Sequence, residues 1–193
     1  MADSHTRATF QALVDAILPA TSKITVPGRN ERVTGASDVC LYKFVIQELD
    51  HSHKMDIPFS EATAQLLDVA AAELLVKGLA KLPFQGTPFP GGGPFSALLR
   101  HDRLRAIDLL DQLNIELHTL PIPYKDNAPL ILTMMNSLNQ ITMFGYYAGW
   151  RDYGIEPYSF PQSWIQVGYP GPAFGYRDFR GFVLKFPHKG EKA

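Results

Sequence analysis

Apolar residues return every three to four positions along most of this chain, and polar breaks divide the pattern into blocks. In RATFQALVDAILPA, residues 7–20, Phe10, Leu13, Val14, Ile17 and Leu18 share one face and predict a helix. Ser4 or Thr6 is placed to cap it, and Pro19 to end it. The stretch TSKITVPGRNERVTGAS then reads as a long polar excursion over the surface. A second helical block starts after Ser37 or Asp38, with Val39, Tyr42, Val45, Ile46 and Leu49 recurring.

The clearest helix is predicted over residues 60–82, with Ser60 as N-cap, Leu66, Leu67, Ala70, Leu74 and Leu75 as its stripe and Pro83 as its stop. A Gly- and Pro-rich link leads to a short FSALL helix. Asp102 is then placed to cap a helix carrying Leu104, Ile107, Leu109, Leu110 and Leu113. After a Pro-containing loop, residues 129–148 predict the other long helix. No charge falls between Asp126 and Arg151, and that length invites a membrane-span reading. The amides and hydroxyls of Asn136, Ser137, Asn139, Gln140 and Thr142 favour a buried central helix, with Gly145 and Gly149 allowing close packing.

No stretch alternates convincingly as a strand; only RGFVLKF near the end reads as extended. The expectation is therefore an all-α fold in a single domain, 1–193, of about five or six helices. Residues 1–152 form the helical body and 153–193 a long irregular arm rich in aromatic residues, Gly and Pro.

Composition agrees with a packed core: 46% of the 193 residues are hydrophobic and 19% charged. The net charge of −1 and the absence of a basic block argue against nucleic acid or an anionic membrane surface as partner. The N-terminus shows neither a secretory signal pattern nor a twin arginine, so the chain is expected to be cytoplasmic, with export alongside a partner left open. One cysteine, Cys40, cannot staple the fold. As a nucleophile it would need a base such as His51 or His53 about three turns away, and a small buried core residue is the better reading.

Few residues offer chemistry. His51 and His53, beside Asp50 and Asp56, make a possible metal pair for a stand-alone helical enzyme, but positions i and i+2 do not face each other on a helix. The segment reads better as a helix end entering a solvated turn. Three glycines, 91–93, invite a phosphate cradle, yet no Lys-Ser or Lys-Thr follows and no GxGxxG is present. His101, Asp102 and Arg103 combine base, acid and cation, and read more simply as a helix start. No metal, nucleotide or nucleophile motif indicates a cofactor or catalytic residue in this chain.

What stands out is the C-terminal arm. Both tryptophans and most tyrosines follow residue 144, culminating in SWIQVGYPGPAFGYRDFRGF at 163–182. That stretch reads as neither helix nor strand. Its Gly and Pro hold the backbone turning, so Trp164, Tyr169, Pro170, Phe174, Tyr176 and Phe179 can meet different surfaces, with Arg177 and Arg180 as a polar rim. Such a segment seals its own helices, docks on another protein, or does both.

The ordered set TFQALVDAILPA, TGASDVCLYKFVIQELD, FSALLRHDRLRAIDLL, GYYAGWRDYG and WIQVGYPGPAFGYRDF resembles the gluconate 2-dehydrogenase subunit 3 family over residues 8–182. The resemblance implies a non-catalytic small subunit that binds and stabilises a large FAD-binding subunit of the glucose-methanol-choline type. That partner would oxidise an alcohol group of a sugar or sugar acid and would hold the FAD. The family's exported members often carry a twin-arginine signal, which this sequence does not show. A helical adaptor with no redox partner is the remaining alternative.

Overall fold

The computed structural model describes residues 2–26, 29–52, 58–80, 89–150 and 160–169. Within them the order is α1 (Ser4–Ile17), β1 (Thr21–Val26), β2 (Arg29–Val33), α2 (Tyr42–Ser52), α3 (Phe59–Val76), α4 (Pro94–Ala97), α5 (Arg100–Asp111), α6 (Ala128–Tyr147) and α7 (Gln162–Val167). The fold is all-α, and among the described residues α3 and α6 are the longest helices, as the spacing predicts. The extended reading of RGFVLKF lies outside the described residues.

The helix starts follow a different logic from the one expected. Asp3, rather than Ser4 or Thr6, caps α1, its carboxylate accepting the Thr6 N–H at 2.7 Å. Ser60 is not a cap: it is buried in the first turn of α3, and its N–H and hydroxyl both donate to Asp50 at 2.9 and 3.0 Å. The end of α2 thus supplies the acceptor for the start of α3. Asp102 is likewise inside α5 and buried, while His101 is exposed in the same turn. The expected end of α3 at residue 82 is also too late. Gly78 adopts φ 64 and the Leu79 N–H closes back on Leu74, a left-handed stop that only glycine makes without strain.

The presumed polar excursion contains a hairpin. Thr21 pairs with Val33 and Ile24 with Asn30, antiparallel, with an irregularity between Ile24 and Val26. The β-branched residues there favour extension, but their alternation is broken, so no period of two announces the strands. The turn before α2 holds Cys40 at φ 53, and the residue is half-exposed rather than buried in a helix.

The central helix is α1, which packs against α2, α3, α4, α5 and α6. Phe10, Ala12, Leu13 and Val14 are fully buried, and Leu66, Leu67, Leu110, Ile131 and Leu138 close around them. The expectation that α6 would be central is corrected. It buries Ile131, Met134, Met135, Leu138 and Thr142 and leaves its opposite face exposed. Among the described residues, no helix is long and apolar enough to cross a membrane. Leu75 and Leu104, expected in stripes, are also exposed.

One buried cation ties the centre together. The Arg103 side chain is 4% exposed; it donates to Asp15 at 3.1 Å and to the Ser96 carbonyl at 3.0 Å, and it stacks on Phe89. Burial pushes its guanidinium below the usual arginine range, and Asp15 opposes that shift.

Candidate partner interface

The described part of the arm is positioned by α6. Gly145 has no Cβ because the Phe44 ring of α2 occupies that space, so the two helices meet closely. Gly149 turns the chain at φ 65, and Pro161 packs against it, bringing residues 160–169 back onto the end of α6.

Polar bonds then lock α7 in place. The Trp164 indole N–H donates to the Tyr147 carbonyl at 2.6 Å. The Tyr146 hydroxyl lies 2.7 Å from Gln166 Oε1 and also reaches the Thr34 carbonyl, donating its one proton to either. Burial raises the Tyr146 phenol above its ordinary value, as does neighbouring Tyr147, while Gln166 opposes the shift. At its C-terminal end α7 stops on Gly168 at φ 66, with the Tyr169 N–H donating back to Trp164 at 2.8 Å. A cavity of about 10 Å³ remains beneath, lined by Trp150, Ser163 and Pro161 among others. Among the described residues, neither the buried Trp150 indole N–H nor the buried Ser163 hydroxyl has a hydrogen-bond partner.

Above this anchored base lies an aromatic ledge. Trp164 meets Tyr169 edge-on at 4.9 Å and Phe160 at 6.1 Å. Phe160, Ile165, Val167 and Tyr169 are 49%, 59%, 58% and 44% exposed. On α6, Phe144 is 66% exposed and stacks on Phe44, which also meets Trp150. Phe44, Ile141 and Phe144 form an open groove with Glu48 and Gln140 at its rim, about 400 Å³ in volume. Exposed apolar side chains are thus gathered at two places, the ledge on residues 160–169 and the groove between α2 and α6.

Of the interface residues expected from the sequence, Trp164 and Tyr169 are brought into contact with each other. Pro170, Phe174, Tyr176, Arg177, Phe179 and Arg180 lie outside the described residues. The stretch around Trp164 is also corrected at its start: Gln162–Val167 is helical, because Pro161 initiates the turn and Gly168 ends it. Phe44 and Phe144 were legible only as members of helical blocks; their partnership depends on how α2 crosses α6.

The other chemical candidates separate. His51 is exposed at the end of α2, its Nδ1 2.9 Å from the Gln47 carbonyl, while His53 lies outside the described residues. Among the described residues, no three His, Cys, Asp or Glu side chains gather as a metal site. The triple glycine serves packing. Asp68 accepts the Phe95 N–H at 2.9 Å at the start of α4 and sits where a Gly93 side chain would point. His5 lies 2.5 Å from the other Asp68 oxygen, a pairing that a separation of 63 positions hides from the sequence.

No protein-family model, curated protein or solved structure matches this chain.

Proposed function

We propose that this chain is a non-catalytic accessory subunit that binds and stabilises the FAD-dependent large subunit of a sugar or sugar-acid alcohol dehydrogenase. The observation that carries the binding role is the exposed aromatic ledge on residues 160–169, hydrogen-bonded to the end of α6. An apolar surface with tryptophan and tyrosine at its centre, tied to α6 by hydrogen bonds, has the makeup of an obligate interface. The identity of the partner rests on the ordered resemblance to the gluconate 2-dehydrogenase subunit 3 family. In this reading the FAD belongs wholly to the larger protein, and this chain supplies surface rather than chemistry.

The deciding experiment is co-purification of the tagged chain from its host, with a visible spectrum of the eluate. A stoichiometric larger protein with flavin absorption near 450 nm, as is general for flavins, is the expected result. A larger partner lacking flavin would keep the accessory role and overturn the redox assignment. Recovery of the chain without a stoichiometric larger protein would overturn both.

A further inference from the structure

Two polar groups buried between α6 and α7 are left over from the bonds that hold the arm. At the end of α6, Gly149 turns left-handed and the Trp150 backbone N–H closes back on the Gly145 carbonyl at 3.2 Å. That closure sets the indole ring beside Phe44, with 5.8 Å between centroids. From the other side, Pro161 starts α7 and puts Ser163 in its first turn, 4% exposed. Both side chains line the cavity beneath α7, whose wall also includes Val39, Gly145, Gly149 and Pro161. Among the described residues, neither the indole N–H nor the Ser163 hydroxyl is bonded, although both atoms are shielded from solvent. Buried polar groups are rarely left so, and two on one cavity point to a shared partner.

The chemistry narrows what that partner is. An indole N–H only donates, so the partner must accept a proton. A hydroxyl can donate or accept, and Ser163 suits either. A direct bond from the indole to Ser163 would still leave the hydroxyl proton unplaced. No residue of the wall is charged, so an ion bound there would lack a counter-charge. Size removes larger molecules: about 10 Å³ stands at the lower bound, roughly 10–15 Å³, for holding one water. Water accepts twice and donates twice, and two polar partners are enough to hold it.

We infer that this cavity is a site for one ordered water molecule, which accepts from the Trp150 indole, bonds the Ser163 hydroxyl and so helps to seat α7 on the end of α6. It adds a third polar tie to the Trp164–Tyr147 and Gln166–Tyr146 bonds. The site concerns how the ledge is carried, and stands whether or not the ledge meets a larger partner.

The test is a high-resolution crystal structure of the full chain, together with urea unfolding of the wild type and of Ser163→Ala. One water is expected within hydrogen-bond distance, about 2.7–3.2 Å, of both Trp150 Nε1 and Ser163 Oγ. A direct bond between the two side chains overturns the inference. So does a bond from either to another part of the chain, or a cavity without solvent density. Unfolding reads the seating role, and its sign decides. Removing a hydroxyl that water bonds loses that bond, so Ser163→Ala should lower the urea midpoint. Removing an unbonded hydroxyl relieves a buried group, and alanine is the better helix former, so the midpoint would instead rise. A water in place with an unchanged or higher midpoint would overturn its role in seating α7. Should Ser163→Ala fail to fold, the wild-type density alone decides whether the site exists.

Discussion

Gly145 of α6 lies directly against the ring of Phe44, with the Leu41 side chain beside it, so that a methyl group at that position would overlap both. The contact sets the distance between α2 and α6, and with it the groove and the approach to α7. Gly145→Ala gains roughly 1 kcal/mol of helix propensity and loses about 1–3 kcal/mol to overpacking. The second effect wins because the added methyl would meet the Phe44 ring and the buried Leu41 side chain together. Urea unfolding should show a net loss of about 1 kcal/mol; an equal or higher midpoint would mean that the ring swings aside freely.

Arg103 and Asp15 should be unequal when removed singly. Arg103→Met removes the guanidinium's bonds to the Ser96 and Ala12 carbonyls and leaves Asp15 without its cation. The expected loss is about 3 kcal/mol. Asp15→Ala leaves a buried cation, but the Ser96 and Ala12 carbonyls still hold it, and Asp15 is itself 30% exposed. Its loss should be smaller, about 1–2 kcal/mol. Thermal unfolding of the two variants compares them, and the reverse order would contradict the hub role of Arg103.

Tyr124 makes the core sensitive to alkali. Its hydroxyl donates to Thr63 Oγ1 at 2.7 Å, since the Thr63 proton is given to the Phe59 carbonyl. Burial raises the phenol well above its ordinary value. A raised native pKa means that this stability is fully present below about pH 10, where an unfolded tyrosine is still neutral. It is lost as pH rises beyond that, by up to about 1.4 kcal/mol per pH unit. Tyr124→Phe should lose about 1 kcal/mol at pH 7 and show a shallower decline between pH 10 and 11. Parallel curves for the two proteins would show that Tyr124 ionises freely in the native state.

Trp164 and Tyr169 separate self-packing from partner binding. The indole bond to Tyr147 and the edge-on ring contact hold α7, while the outer surfaces of the ledge remain open. Tyr169→Ala, at the more exposed position, should leave helicity unchanged and weaken retention of the larger partner roughly thirtyfold, corresponding to about 2 kcal/mol at an aromatic anchor. Trp164→Ala should weaken it at least as much. Circular dichroism and co-purification, measured together, decide: retention at wild-type level with intact helicity would remove the ledge from the interface.

The sequence by itself determined the helical class and the positions of the two longest helices. Periodicity is a local property, and the stripes of α1, α3 and α6 are written in contiguous residues. It also marked the aromatic segment, because tryptophan and tyrosine among Gly and Pro are conspicuous in any fold. What only the tertiary structure decided is which groups meet across distance. Asp50 reaches Ser60 from another helix, His5 reaches Asp68, and Arg103 reaches Asp15. Hydrogen bonds between elements are set by crossing angles and leave no period in the chain. The same cause explains the error over α6. A stretch without charge looks buried all round, and only packing shows that α1 takes the centre and leaves one uncharged face of α6 to water.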